Sequence, residues 1–295
     1  MRLAYYPGCV AQESGKELDM ATRWVCQKLG IELVSFPNFS CCGSGFIDEA
    51  NPTLNVALNA RNLAIAEGAG LDLLTICSTC QGMLSLANHR LKDPAMRQRV
   101  DGALGQIGMA YKGTTRVKHL LEVLTRDVGL DAVRAKVRRP LQGLKVGAFY
   151  GCHLLRPAGE VGSESPEEPE SFEQLIAALG ATPVYYRGRV MCCGFPILFV
   201  KESTANRIAG RQIDDAKAHG AHAMATPCPL CHTSLDSFQN KAAQEVGHSL
   251  EMPIFHLPQL VGLAMGATPD DLGLPRHMVS TDAALAHIGE VAVPT

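Results

Sequence analysis

The sequence carries almost no excess of charge of either sign. Its 295 residues include 27 lysines and arginines against 29 aspartates and glutamates, which gives a formal net charge of −2. Proteins that bind nucleic acid need concentrated positive charge to neutralise the phosphates. We therefore expect no nucleic acid partner.

Long apolar runs are also missing. The most apolar stretch, 257–267, is interrupted by Pro258 and Gly262, whereas a membrane span needs about 20 apolar residues. Residues 1–9 lack the apolar segment and the small-residue cleavage site of a secretion signal. These absences predict a cytoplasmic protein without a membrane span.

Cysteine, by contrast, is abundant. The chain contains 11 cysteines. The cytoplasm keeps thiols reduced, so a framework of disulfides is not expected there. Metal ligation or thiol redox chemistry is the better interpretation.

Ten of the cysteines form two copies of one five-cysteine pattern. In each copy a single cysteine is followed by Cys-Cys-Gly and then by Cys-x-x-Cys. Cys41 and Cys192 lie 151 residues apart, and both members of the Cys-x-x-Cys sequences repeat at the same spacing, which indicates a duplication. The first set is Cys9, Cys41, Cys42, Cys77 and Cys80, and the second set is Cys152, Cys192, Cys193, Cys228 and Cys231.

One cysteine stands outside this pattern. Cys26 has no counterpart in the second half. A lone cysteine of this kind usually behaves as a small buried apolar residue. We expect Cys26 to lie in the core and to bind no metal.

Apolar segments of strand length alternate with helical patterns in both halves, as is typical of βαβ units on a parallel sheet. We predict an α/β fold of two pseudo-symmetric domains, each with a small parallel sheet flanked by helices in a Rossmann-like arrangement. The N-terminal domain is predicted to be 1–140 and the C-terminal domain 141–295, joined by the basic segment 134–144. The predicted strands are 3–6, 31–36, 71–76, 146–150, 182–186 and 221–226, and the predicted helices are 16–29, 52–67, 172–179 and 204–219.

Each cysteine group follows a predicted strand. The carboxyl ends of parallel strands meet at one edge of a sheet, where ligand sites gather. The three groups of each half are therefore expected to converge there. Thiolates are soft ligands that select iron–sulfur clusters, zinc or copper(I).

The number of cysteines in each set favours iron over zinc. A tetrahedral zinc ion is complete with four ligands, and a cubane iron–sulfur cluster also takes four cysteines. Five cysteines leave one thiolate unassigned, which favours a larger or more open iron–sulfur centre. A thioredoxin-like redox pair at Cys-x-x-Cys is a further alternative.

The cysteine pattern and its surroundings resemble the twin CCG domains of the heterodisulfide reductase B subunit, and the likeness spans nearly the whole chain. Lactate-utilisation proteins and subunits of glycolate oxidase and fumarate reductase share the cysteines but less of their context. The segments that carry the resemblance are Tyr6-Pro7-Gly8-Cys9, Met191-Cys192-Cys193-Gly194-Phe195-Pro196 and Cys228-Pro229-Leu230-Cys231-His232.

The resemblance implies cofactors, chemistry and partners. Each cysteine set would hold a noncubane four-iron cluster through all five thiolates, and a disulfide would be cleaved reductively between the two clusters. In some relatives the N-terminal set is associated with zinc or another cluster type. The implied partners are the iron–sulfur and flavin subunits of a heterodisulfide reductase-like complex and, for bacterial relatives that oxidise sulfur, a lipoate-bearing carrier protein.

Two histidines directly follow cysteines of the second set, namely His153 and His232. Histidine titrates near neutral pH, so either could donate a proton to a departing thiolate or a hydrogen bond to a cluster sulfur. Both are predicted catalytic residues, with a supporting or surface position as the alternative. His119 and His256 precede apolar helical patterns, and we expect them to cap those helices.

Three functions stay open from the sequence. The first is a catalytic iron–sulfur subunit that interconverts disulfide and thiols or oxidises carrier-bound sulfur. The second is an electron relay in a dehydrogenase complex, and the third is a zinc-stabilised scaffold without enzymatic activity. No G-x-G-x-x-G follows the first predicted strand, so electrons would have to come from partner proteins.

Overall fold

The computed structural model describes residues 1–161 and 164–289. Within these residues the chain forms two four-stranded sheets, and every strand pair in them is parallel. The strand orders are β2-β1-β3-β4 and β6-β5-β7-β8, so the second half repeats the topology of the first. The strands are β1 (Arg2–Tyr6), β2 (Glu32–Ser35), β3 (Leu73–Thr75), β4 (Val117–His119), β5 (Lys145–Ala148), β6 (Thr182–Val184), β7 (Ala223–Thr226) and β8 (Ile254–His256).

Helices connect the strands and cover the sheets, which confirms the predicted α/β class. In the described ranges, the α-helices of eight or more residues are α1 (Lys16–Lys28), α2 (Pro52–Gly68), α3 (Ser78–Arg90), α4 (Pro94–Gly105), α5 (Ser171–Ala178), α6 (Glu202–Ala218), α7 (Gln239–Val246) and α8 (Leu257–Ala264). Shorter helical segments are Cys9–Gln12, Phe46–Ala50, Leu120–Glu122, Val123–Gly129, Leu130–Arg134, Cys152–Leu154, Arg187–Val190, Phe195–Ile197, Pro229–His232, Thr233–Ser237, Leu274–Arg276 and Asp282–Leu285.

Local sequence signals explain why these elements form where they do. Residues 3–6 of β1 are all buried, as expected for a parallel strand that is covered on both faces. Helix α2 begins at Pro52, and Asn51 caps it by accepting a hydrogen bond from the Leu54 N–H at 3.0 Å. Proline at the first helical position and asparagine at the cap are both favoured there.

The sequence interpretation missed the fourth strand of each sheet. β4 and β8 each lead directly into a helix that begins at the next residue. The apolar helical pattern therefore dominated the prediction and hid the short strand before it. The Leu121 N–H donates to Nδ1 of His119 at 3.1 Å, so the expected capping role of His119 is confirmed.

The two halves are packed against each other through a shared core. One cluster of buried side chains contains Val25 and Leu74 from the first half together with Val146 and Phe255 from the second. Cys26 belongs to the same cluster and is 1% exposed, as predicted. A common core means that the halves stabilise each other across their boundary.

The segment that connects the halves is held by hydrogen bonds and by buried side chains. The N–H groups of Arg138 and Arg139 both donate to the carbonyl of Ala264, while Leu141 and Leu144 are fully buried. The basic side chains of this segment, including those of Arg138 and Arg139, point to solvent. The division into 1–140 and 141–295 stays a prediction.

Among the described helices, none has both the length and the apolar character that crossing a membrane requires.

Candidate metal centre

The cysteines of each set follow three neighbouring strands, as predicted. In the first half the single cysteine follows β1, the adjacent pair follows β2 and the Cys-x-x-Cys sequence follows β3. Cys77 and Cys228 are each the cap residue of the helix that follows, with nearly identical backbone angles. Their N–H groups donate to Thr75 and Thr226 respectively, at 3.4 Å in both halves. The duplication therefore extends to the local geometry of the cysteine turns.

Within each set the thiols form a chain of contacts. In the first set, Sγ of Cys42 lies 3.5 Å from Sγ of Cys80. The other thiol pairs that interact in the first set are Cys9 with Cys41, Cys41 with Cys42 and Cys77 with Cys80. The corresponding pairs of the second set are Cys152 with Cys192, Cys192 with Cys193, Cys193 with Cys231 and Cys228 with Cys231.

The two sets also meet each other. The thiols of Cys77 and Cys228 interact, and both side chains are buried. The pKa of Cys77 is raised by this contact, while the pKa of Cys228 is lowered by Cys231 and Cys77. The ten cysteines therefore form two neighbouring centres rather than two distant ones.

Crowding shifts the pKa values of the thiols within each set. Neighbouring thiols and the N–H groups of Gly43 and Gly194 stabilise the thiolate forms of Cys41 and Cys192. The pKa values of Cys41 and Cys192 are therefore lowered, whereas those of Cys9, Cys42, Cys152 and Cys193 are raised, first of all by the adjacent thiol.

This donor set fits a thiophilic metal or cluster. Five crowded thiols cannot all lose their protons unless a cation takes up the negative charge, and metal binding to cysteine is coupled to this deprotonation. Soft sulfur ligands select iron–sulfur clusters, zinc or copper(I). The first-set ligands would be Cys9, Cys41, Cys42, Cys77 and Cys80, and the second-set ligands Cys152, Cys192, Cys193, Cys228 and Cys231.

A glycine before the first cysteine of each set leaves room for a sulfur atom. Gly8 and Gly151 have φ values of 78° and 73°. A Cβ atom would lie 3.1 Å from Sγ of Cys80 at Gly8 and 2.9 Å from Sγ of Cys231 at Gly151. Any other residue would combine backbone strain with displacement of a cysteine sulfur.

Buried asparagines on α2 hold the first Cys-Cys-Gly turn, and the sequence interpretation missed them. Nδ2 of Asn59 donates to the carbonyl of Cys42 at 3.0 Å, and Nδ2 of Asn55 donates to the same carbonyl at 3.2 Å. Asn62 pairs with both backbone groups of Ser40. Three asparagines at 55, 59 and 62 share one helix face, and that polar stripe was the available signal.

A cleft lies beside the second cysteine set and is lined by residues of both halves. Its lining is mixed: thiols of the second set, hydroxyl groups of the first half, and aromatic and aliphatic side chains around them. The lining residues are Ser44, Phe46, Ser78, Thr79, Gly151, Cys152, His153, Cys193, Phe195, Pro196, Cys228, Leu230 and Cys231.

Of the two predicted catalytic histidines, the structure places one in this cleft. His153 lines the cleft, and its Nδ1 lies 3.1 Å from Oγ1 of Thr79. His232 is buried behind Cys231, where its Nε2 lies 3.0 Å from the carbonyl of Ile254. Burial places the pKa of His232 well below its usual range.

A second group of potential ligands surrounds His232. Glu17, His232 and His256 bring ligand atoms close together, but the two imidazole rings are stacked with centroids 3.8 Å apart and an interplanar angle of 19°. The lone pairs of imidazole nitrogens lie in the ring plane, so nearly parallel rings cannot both point at one ion. This cluster is better described as packing between the halves, since Glu17 belongs to α1 and His256 to β8.

Comparison with known proteins agrees with the duplicated architecture. The cysteine-rich CCG domain matches this sequence twice, over residues 3–85 and 146–236. The B subunit of a ferredoxin/F420H2-dependent CoB-CoM heterodisulfide reductase from Methanosarcina acetivorans is 32% identical over 295 residues, covering 99% of this chain and 98% of that protein. The chain belongs to the family of twin CCG-domain proteins that includes the heterodisulfide reductase B subunit.

Other members of the CCG family are similar over most of their length. The membrane anchor subunit of an 8-methylmenaquinol:fumarate reductase from Wolinella succinogenes is 40% identical over 277 residues, covering 94% of this chain and 96% of that protein. A protein from Archaeoglobus profundus that is named for its likeness to the heterodisulfide reductase B subunit is 31% identical, with 92% of each chain covered. The CCG family therefore includes subunits of more than one kind of reductase.

A solved structure supports the fold. A hypothetical protein from Helicobacter pylori superposes with a TM-score of 0.77 at 16% identity, covering 95% of this CCG protein. This chain spans about half of that protein, with 52% covered. At this identity the similarity concerns the fold alone.

Proposed function

We propose that this CCG protein is the iron–sulfur catalytic subunit of a heterodisulfide reductase-like complex and interconverts a disulfide with two thiols. The observation that carries the proposal is the interaction of the two five-thiol sets at Cys77 and Cys228, with a cleft beside the second set that both halves line. A disulfide has two sulfur atoms, and two neighbouring metal centres would offer one centre to each. The family relationship to the heterodisulfide reductase B subunit supports the same chemistry.

The ten cysteines would hold two noncubane four-iron clusters, one in each set. The clusters, when bound, would supply single electrons and open iron positions for sulfur. Cleavage of one disulfide consumes two electrons and two protons and releases two thiols, so the protein must also deliver protons. In the N-terminal set, zinc or another cluster type is the alternative cofactor.

His153 is our candidate for a proton donor to the departing thiolate. It lines the cleft next to Cys152, and its Nδ1 is engaged by Thr79, which leaves Nε2 for a substrate. Donation from Nε2 while Nδ1 donates to Thr79 requires a proton on both ring nitrogens. His232 lies behind the cleft with Nε2 at hydrogen-bond distance from a carbonyl, so its predicted role as a proton donor has less geometric support. A contribution of His232 through the adjacent Cys231 stays a prediction.

Apolar side chains form part of the cleft lining. Phe46 and Phe195 line it from the two halves, and Phe46 is 48% exposed. Such a lining favours a substrate whose disulfide is carried on an aliphatic chain over a small charged disulfide. A lipoate-bearing carrier protein would meet that description in the oxidative direction, and iron–sulfur and flavin subunits would exchange electrons with this chain in either direction. A cytoplasmic location stays a prediction.

An electron-relay subunit without a substrate of its own is the second candidate. It is favoured by the 40% identity to a subunit of a quinol:fumarate reductase. In that role the two neighbouring centres would pass electrons between partner subunits, and the cleft would bind no disulfide. Zinc in both sets would instead indicate a scaffold.

Electron paramagnetic resonance (EPR) of the anaerobically purified, oxidised protein separates these candidates. Addition of a thiol should produce a new signal if a sulfur ligand binds at a cluster. The matched control is the His153→Gln variant, which should keep the signal but lose turnover with a disulfide. Clusters that show no response to thiols would contradict the catalytic proposal and support the relay.

A further inference from the structure

Thr79 connects the two cysteine sets. It lies between Cys77 and Cys80 of the first set and is only 3% exposed. Its Oγ1 is 3.1 Å from Nδ1 of His153 and 3.9 Å from Sγ of Cys228, both of which belong to the second half. One hydroxyl group therefore contacts a ligand sulfur and the candidate proton donor at once.

This contact breaks the symmetry of the duplication. The residue equivalent to Thr79 in the second half is Leu230, and the residue equivalent to His153 in the first half is Val10. Neither side chain can make a hydrogen bond. The second cysteine set thus receives a side-chain hydroxyl that the first set does not receive from the equivalent position.

The helix that carries Thr79 is shaped to receive His153. Gly82 lies one turn further along α3, on the same face as Thr79. A Cβ atom at Gly82 would lie 3.1 Å from the carbonyl oxygen of His153 and 3.2 Å from its Cβ. Glycine at this position lets the His153 backbone approach the helix, and this approach brings the imidazole to the Thr79 hydroxyl.

We propose that Thr79 is a positioning residue that makes the two metal centres unequal, because its hydroxyl donates to the sulfur of Cys228 and accepts from Nδ1 of His153. A metal-bound thiolate can only accept a hydrogen bond, so the single hydroxyl proton points to Cys228 and the lone pairs face His153. The inference rests on the proposed iron–sulfur centres, but not on the substrate.

The consequence is a difference in reduction potential. Hydrogen bonds to ligand sulfurs are among the factors that set the potential of an iron–sulfur cluster. A donor stabilises the reduced state, which carries the extra negative charge, and so raises the potential. The centre held by the second set should accept an electron at a higher potential because of Thr79.

Thr79→Val tests the proposal because valine keeps the shape and removes the hydroxyl. Potentiometric EPR titration of the complete chain should show a more negative midpoint potential for the second centre and no shift for the first. The two signals are assigned with Cys193→Ala, which leaves the first centre alone. Thr79→Ser should restore the wild-type potential.

Ser78→Ala is the matched control. Ser78 is the neighbouring residue in the same turn, is equally buried and lines the same cleft, and its Oγ has no hydrogen-bond partner among the described residues. The Ser78→Ala variant should keep both potentials. If valine prevents cluster assembly, the smaller Thr79→Ala variant compared with Thr79→Ser provides the same test.

Several results would overturn the inference. An unchanged second potential in Thr79→Val, an equal shift of both centres, or a similar shift in Ser78→Ala would each do so. Zinc in both sets would overturn the inference and the proposed function together. Iron–sulfur clusters whose EPR signal does not change when a thiol is added would contradict only the proposed function. The Thr79-dependent shift in reduction potential needs no substrate.

Discussion

Cys77 and Cys228 occupy equivalent positions in the two halves, and their thiols interact with each other. The duplication therefore places the two cysteine sets side by side at the junction of the halves. A cleft beside the second set lies at this junction and is lined by residues of both halves, and we expect the two centres to act on one substrate.

Cys193→Ala should remove the metal of the second set and leave that of the first. Cys193 is 3% exposed and interacts with both Cys192 and Cys231, so its loss opens the middle of the set. Iron and sulfide analysis should give about half of the wild-type content. Cys26→Ala is the control, because Cys26 is a buried cysteine outside both sets, and full occupancy is expected there. Undiminished iron in Cys193→Ala would contradict the ligand assignment.

Gly151→Ala should also deplete the second set. The added Cβ would lie 2.9 Å from Sγ of Cys231, at a positive φ of 73°. Gly220→Ala is the control for backbone strain alone, because Gly220 has a φ of 84° with nothing within 4 Å of the added atom. The control should lose about 1–2 kcal/mol of stability and keep both metals. Equal metal content in the two variants would show that sulfur placement does not depend on Gly151.

Asn59→Leu should weaken the first set selectively. The substitution removes the donor to the Cys42 carbonyl and the donor to the Asn55 carbonyl, at a cost of about 1–3 kcal/mol in the free energy of unfolding. We expect preferential loss of metal from the first set. Asn51→Ala, at the start of the same helix, should cost about 1 kcal/mol through loss of its cap and leave the metal content unchanged. The prediction fails if both variants lose metal alike.

The contact between Glu17 and His256 predicts an acid-sensitive junction between the halves. Burial alone would raise the pKa of Glu17, but the imidazole of His256, with Nε2 at 3.5 Å, and a hydrogen bond from Arg276 lower it below its ordinary value of 4.5. A lowered pKa in the folded state means that the unfolded chain binds more protons, so this stabilisation is present above about pH 4.5 and is lost as the pH falls further.

Glu17→Gln should therefore lower the free energy of unfolding by about 1–3 kcal/mol at neutral pH, with a smaller difference from the wild type below pH 4. Denaturant unfolding of the metal-free chain as a function of pH measures this directly. Glu13→Gln, at an exposed position before the same helix, should change little. A pH-independent difference between Glu17→Gln and the wild type would contradict the assigned role of the carboxylate.

Much of the fold could be predicted because its signals are local. The first three strands of each sheet and the four predicted helices lie within a few residues of their predicted bounds, since apolar periodicity is a property of short segments. β4 and β8 escaped prediction because each runs without a turn into a helix, whose apolar pattern includes the strand's end. Their strand character comes from pairing with β3 and β7, which the sequence alone does not display.

The candidate site was also predictable only in part. Convergence of the cysteines within each half followed from their positions after parallel strands. Contacts between the halves did not, because Thr79, His153 and Cys228 are brought together only by the packing of one half on the other. A position next to a cysteine in sequence did not place His232 in the cleft. It follows Cys231, but its ring points away from the cleft and stacks on His256.

The most direct test of the central claim is the iron, sulfide and zinc content of the complete chain purified without oxygen. Two four-iron clusters predict about eight irons and a comparable amount of acid-labile sulfide per chain, with both reduced to about half in Cys193→Ala. Two zinc ions per chain, without iron or sulfide, would contradict the assignment of the ten cysteines to iron–sulfur centres.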